Sequence, residues 1–252
     1  IRLGTDRSVD ELAFLLEAAA RRVVLAGTSG AHTGSATDAL HEGGCSFPEM
    51  DKVDSAWISS VVPTLTTRAT SAVLSAFGLR AESVGPGTRT GLKIRTDAPS
   101  ELGSDIVCSA VAARALVGGA ALVVDSGSAL VLSAVNSEGE LLGAAIAPGM
   151  DTAARSLRAS TAQLPEVRLD RPRRFIGRNT VQSVQSGIVN GYVGMVRHLV
   201  TGMLDEMGEP ATVVATGDET GRDLLMAAGI DRYERNLALE GLAIIATRNS
   251  HT

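Results

Sequence analysis

Residues 120–146 read AALVVDSGSALVLSAVNSEGELLGAAI. Three apolar runs of strand length, 120–125, 129–135 and 141–146, are separated by two polar turns. The separators, Ser126-Gly127-Ser128 and Asn136-Ser-Glu-Gly-Glu140, are ordinary turn chemistry. The stretch therefore predicts an antiparallel meander of three strands. Its first strand ends on an acid, Asp125, which is either a plain turn residue or a ligand-binding group at a carboxyl strand end.

Outward from the meander, Pro148-Gly149 leads into helical patterns, the longest over 180–207. Residues 211–216 read as a strand, 219–228 as a helix and 237–248 as a last helix. The order is three hairpin-linked strands, helices, strand, helix. Upstream, the same order recurs with its beginning missing. Ser8 and Glu11 form a capping-box pattern, and Leu12, Leu15, Leu16 and Ala19 mark one apolar face of a helix over 8–22. A strand over 23–26, a polar stretch over 27–54, a strand over 55–62, a helix over 64–77 and a short strand near 82–84 follow. If the halves are duplicates, about two strands belong before Ile1, and they would carry the first half's counterpart of the Asp125 hairpin. The expected architecture is α/β. Two ribonuclease-H-like domains, 1–113 and 114–252, follow the pattern of the actin-like ATPase superfold, the first lacking its initial strands. The last helix would pack on the first domain.

Composition narrows the function classes. The chain has 252 residues, 44% hydrophobic and 20% charged, which fits a packed globular protein rather than a disordered one. A net charge of −5 offers no basic face for nucleic acid. The apolar run over 107–124 is broken by Arg114 and a Gly-Gly pair, so a membrane span is not expected. The two cysteines, Cys45 and Cys108, have no zinc spacing, and none of the four histidines sits in a metal motif. A reducing, cytoplasmic setting is expected.

An ordered set of short motifs carries a family likeness. It comprises Gly85-Pro-Gly-Thr-Arg-Thr-Gly91, Ile94-Arg-Thr-Asp-Ala-Pro99, Glu101-Leu-Gly-Ser-Asp105 and Val123-Val-Asp-Ser-Gly-Ser128. It continues with Ile146-Ala-Pro-Gly149, Thr161-Ala-Gln-Leu-Pro165, Ile176-Gly-Arg-Asn-Thr180, Gln185-Ser-Gly-Ile-Val-Asn-Gly-Tyr-Val-Gly194 and Leu237-Ala-Leu-Glu-Gly-Leu242 with Arg248-Asn249. The set resembles type III pantothenate kinase over nearly the whole chain. The resemblance implies a homodimer that phosphorylates pantothenate with ATP, assisted by Mg2+ and a monovalent cation, K+ or NH4+. It implies Asp105 as the catalytic base and Thr96, Gly103, Ser104, Asp105, Ile106 and Thr180 along the substrate. It further implies Gly127 and Ser128 at ATP and Asp125 as the cation ligand. The chain departs from the family pattern at Ile106, Thr96, Ala144 and Asp218, and the family's phosphate loop would lie before Ile1. These departures define the alternative, a degenerate non-catalytic relative that dimerises and binds a ligand or partner.

The residue chemistry stands beside that likeness. Phosphoryl transfer to an alcohol needs an oriented hydroxyl and neutralised phosphate charge. Asp105 can orient and deprotonate the hydroxyl, or it can simply cap a helix. Asp125 offers hard oxygens, Gly127 permits close backbone approach, and Ser128 supplies a hydroxyl. Arg89 suits a carboxylate such as that of pantothenate, or is a solvated surface charge. Asp218 reads as a helix cap.

Overall fold

The computed structural model describes residues 8, 9, 12, 13, 16, 53–161 and 163–250. The chain divides into two compact units, Ile1–Val84 and Gly85–Thr252.

In the first unit, Val9, Leu12, Ala13 and Leu16 are helical, in keeping with the predicted helix. Leu12 and Ala13 are buried with Ala72, and Val9, Leu16, Leu65 and Ala76 pack around them. The rest of that helix, the strand expected over 23–26 and the polar stretch up to residue 52 lie outside the described residues. Strand β1, Trp57–Ile58, pairs in parallel with β2, Glu82–Ser83. The strand expected over 55–62 is thus cut to two residues. The cause is local: the Ser60 hydroxyl accepts a hydrogen bond from the Val62 amide at 3.2 Å and turns the chain out of the ladder. Helix α1, Pro63–Phe77, starts at once with proline in its first turn and ends at Gly78, whose φ of 66° closes the helix through a bond from its amide to the Leu74 carbonyl.

The second unit is built on one five-stranded sheet. It contains β3 (Lys93–Ile94), β4 (Ala121–Ser126), β5 (Ala129–Val135), β6 (Glu140–Pro148) and β7 (Thr212–Gly217), in the order β3-β6-β5-β4-β7. The meander β4-β5-β6 is antiparallel, as its sequence requires. Strand β7 pairs in parallel with β4, setting Asp125 beside Thr216 and Ser126 beside Gly217. The pairing of β3 with β6 was not legible in a two-residue segment, and it is latched by side chains. Arg95 donates two hydrogen bonds to Glu140 Oε1, at 2.9 and 2.5 Å.

Helices cover both faces of this sheet. Helix α2, Ser104–Val117, buries nine of its residues. Its apolar character therefore reflects a doubly covered position in the core rather than a lipid environment. Ala112 and Ala113 of α2 pack with Ala121 and Val123 of β4, Val214 of β7 and Leu237. Leu237 opens the last helix, α7, Leu237–Asn249, which lies against α2. Gly241 makes that approach possible, because a Cβ there would overlap the Cys108 carbonyl. On the opposite face, Leu122, Val124, Leu130 and Leu132 pack with Val189, Tyr192 and Val196. Those last three come from the stretch predicted as one helix over 180–207. It consists of α4 (Thr180–Gln185), a π-helical turn (Ser186–Asn190) and α5 (Gly191–Met207). Within the wider turn the Ser186 hydroxyl donates to the Phe175 carbonyl at 2.6 Å. Helix α3, Met150–Ala159, and helix α6, Glu219–Ala227, begin just after β6 and β7. No helix among the described residues is long and apolar enough to cross a membrane.

Candidate active site

Strand alternation decides which side chains meet. On β4, Leu122, Val124 and Ser126 face the α5 side, so Val123 and Asp125 face α2. On β5 their partners across the ladder are Ser133 and Val131. On α2, Asp105 and Ser109 stand one turn apart on one face. These side chains enclose a cavity of about 10 Å3, lined by Asp105, Ile106, Ser109, Val123, Asp125, Val131 and Ser133. The two acids singled out from the sequence therefore share one site, between a helix start and a carboxyl strand end.

Asp105 is not a cap. The N-cap position belongs to Gly103, no side chain caps the helix, and Asp105 lies in the first turn with its side chain exposed. Ser104 and Ile106 on either side are each 9% exposed, so the chain on both flanks of Asp105 is anchored. Asp125 is half-buried. Ser109 is 2% exposed, and its hydroxyl has no hydrogen-bond partner among the described residues. Thr96 Oγ1 is likewise shielded and unpartnered, two residues beyond β3.

Next to Asp125, the hairpin tip meets the starts of α3 and α6. A Cβ on Gly149 would overlap the Gly127 carbonyl, and one on Gly217 (φ 122°) would overlap the Ser126 carbonyl. Thr152 donates to the Ser128 carbonyl at 2.7 Å, and the Asp218 amide donates to the Ser126 carbonyl at 3.1 Å. The Gly127 amide is bonded to the Ala129 carbonyl, while the Ser128 side chain is exposed. Asp218 caps α6 by accepting from the Gly221 amide at 2.8 Å, as expected. Below the tip, Ser126 Oγ and the Tyr192 hydroxyl are 2.7 Å apart. Burial pushes the Tyr192 phenol up, the Ser126 bond opposes this, and the charges of Asp218 and Asp125 add to the rise.

The loop over 85–91 is held from the far end of the chain. Asn249 donates to the Arg89 carbonyl and accepts from its amide, both at 3.1 Å. Arg248 donates to the Thr90 carbonyl, and its guanidinium lies where a Cβ of Gly91 (φ 80°) would sit. The Arg89 side chain is exposed. Thr180 begins α4 and is exposed, outside the lining of the Asp105–Asp125 cavity. A second cavity, of about 510 Å3, lies along α3 and residues 164–170 and contains neither acid. Among the described residues no group of three or more His, Cys, Asp or Glu could hold a metal ion. His198 is exposed, and Cys108 is buried.

Sequence reading singled out Asp105 and Asp125 but passed over Ser109 and Ser133. Their signal was present: Ser109 is four residues after Asp105, and Ser133 pairs with Val123 beside Asp125. Neither spacing means anything until α2 is laid across β4.

The sequence model of type III pantothenate kinase matches residues 14–202. The chain is 43% identical over 202 residues to a type III pantothenate kinase of Moorella thermoacetica, covering 80% of each chain. It is 40% identical over 200 residues to that of Geobacter sulfurreducens, covering 79% of this chain and 78% of the relative. The fold is shared with a conserved Baf family protein from Campylobacter jejuni. That crystal structure aligns with a TM-score of 0.53 at 18% identity, over 80% of this chain and 86% of the other. With the family's sequence pattern running through three-quarters of the chain and relatives 40–43% identical over about four-fifths of it, the chain belongs to the type III pantothenate kinase family.

Proposed function

We propose that the protein transfers the γ-phosphoryl group of ATP to the primary alcohol of pantothenate, forming phosphopantothenate, the first step of coenzyme A synthesis. The observation that carries the reading is the shared cavity of Asp105 and Asp125 in a member of this family. Asp105 is the base: it is exposed to an arriving substrate at the start of α2. It orients the substrate hydroxyl and accepts its proton as the phosphorus–oxygen bond forms. A cavity of about 10 Å3 suits a water rather than a nucleotide, so both substrates approach from the exposed side of Asp105.

Gly103, Ser104, Ile106 and Thr96 line the alcohol's approach in this reading. Thr180 is assigned to the substrate on its motif alone. Gly127 and Ser128 stand at the ATP phosphates, where the close approaches at Gly149 and Gly217 bring backbone rather than side chains to the surface. Half-buried Asp125 would hold a hard cation through its carboxylate. Mg2+ bound there with ATP would neutralise phosphate charge, and a monovalent cation, K+ or NH4+, is the family's further requirement.

The topology of the second unit, a meander with a fourth strand parallel to its first, supports a ribonuclease-H-like domain. The domain division at residue 113 rests on the internal repeat. The open helix face at Gly187, Gly191 and Gly194 supports a homodimer, and the small-molecule substrates a cytoplasmic setting. An ATP-coupled pantothenate phosphorylation assay tests the function. Turnover equal to that of Asp105→Asn would remove the kinase reading.

A further inference from the structure

We propose that the cavity between α2 and the β4–β5 hairpin holds one ordered water that joins the Ser109 hydroxyl to the carboxylates of Asp105 and Asp125, making Ser109 a positioning residue for the base.

The argument begins with a buried polar atom that should not be unpaired. Ser109 is 2% exposed and its Oγ has no hydrogen-bond partner among the described residues, not even the carbonyl one turn back that a helical serine usually takes. Leaving such a group unsatisfied is costly, and a side chain turned into a polar cavity is the place where a water completes it. The cavity fits that role in size and lining. At about 10 Å3 it has room for one water. Its polar groups are the carboxylates of Asp105 and Asp125 and the hydroxyls of Ser109 and Ser133, enough for a water's two to four bonds. The remaining lining, Ile106, Val123 and Val131, is apolar. Every titratable group in the lining is one of the two acids: α2 contributes Asp105, β4 contributes Asp125, and β5 contributes only Val131 and Ser133.

The arrangement has a chemical consequence. A water that donates one proton to each carboxylate satisfies both without bringing them into direct repulsion. Ser109, donating to that water, fixes its orientation and so holds the Asp105 carboxylate in place. This inference rests on the reading of Asp105 as the base, but its structural part can be tested without turnover.

Three measurements on the full chain decide it. High-resolution crystal structures are compared between wild type and Ser109→Ala. The expected result is one ordered water within hydrogen-bond distance of Ser109 Oγ and both carboxylates in wild type, displaced or lost in the variant. A cavity without that water in wild type overturns the proposal. Thermal unfolding gives a second readout. Removing a water-linked hydroxyl lowers Tm, whereas removing one that is simply stranded raises it, and a rise overturns the proposal. In kinetics, Ser109→Ala should lower kcat by about threefold to tenfold, the reach of one hydrogen bond, with KM for pantothenate unchanged. Ser109→Thr, which keeps the hydroxyl, should recover much of kcat. A KM effect alone overturns the positioning role. Should wild type fail to phosphorylate pantothenate, the kinase reading falls while the crystal structures still decide the water link.

Discussion

Asp105 lies in the first turn of α2 with its side chain exposed, and no side-chain bond caps the helix there. Asp105→Asn should therefore leave Tm close to that of wild type while kcat falls at least about a hundredfold, the usual worth of a positioned general base. Thermal unfolding and steady-state kinetics on the same preparation check both halves. Tyr192 is the opposite case, buried and bonded to Ser126 beneath the hairpin. Tyr192→Phe should cost about 0.5–1.5 kcal/mol in urea denaturation, the net worth of one hydrogen bond. The phenol is raised in the folded state. Its contribution is thus complete below the ordinary tyrosine value and lost as pH rises through the raised one. The phenylalanine variant should lack that part of the alkaline decline. At this scale the sequence supplied the identities of the acids. It could not tell a cap from a base at position 105, because that depends on which face of α2 meets the sheet.

Among the elements, the β4–β5 hairpin and the start of α6 are joined by backbone that tolerates no side chain. A Cβ at Gly217 would overlap the Ser126 carbonyl, and its φ of 122° is one that L-residues rarely adopt. Gly217→Ala should lower stability by about 1–3 kcal/mol and raise KM for ATP more than KM for pantothenate. Differential scanning calorimetry and substrate-saturation curves would show it. The last helix has a different task. Asn249 pairs with both backbone groups of Arg89, so it holds the 85–91 loop as a neighbouring strand would. Asn249→Ala should raise KM for pantothenate about threefold to tenfold with little change in kcat, since two neutral hydrogen bonds to a loop are removed. A kcat loss with KM constant would contradict it. The helix over 237–248 and the loop over 85–91 were both visible in the sequence. Their clasp was not, because 160 residues separate the partners. The short strand β3 was invisible for the same reason, having only its neighbour β6 and the Arg95–Glu140 pair to define it.

Over the whole second unit, one sheet is buried on both faces at β4 while β6 is partly exposed, and its stability has an acid-sensitive edge. Hydrogen bonds from Arg95 and then Asn136 hold the Glu140 carboxyl below its usual value. A depressed acid stabilises the fold above the unfolded-state value and loses that contribution as pH falls through the folded one. Glu140→Gln should therefore be less stable than wild type near neutrality, and the gap should close as pH drops below the ordinary glutamate range. Urea midpoints followed from neutral to acid pH test this, and a gap that stays constant would exclude the linkage. The same latch fastens β3, so the variant should also loosen the segment leading to Thr96, which amide hydrogen exchange would detect.

The sequence by itself determined the meander over 120–146, the strand and helices after it and the motif set of the family. These are written in local apolar periodicity, turn residues and caps, which act over a few positions. Tertiary structure alone decided that β3 joins the sheet beside β6 and that Ser109 faces Asp105 and Asp125. Each of those outcomes depends on which surfaces pack together, and strand alternation and helix faces become specific chemistry only once a helix has been laid across a strand.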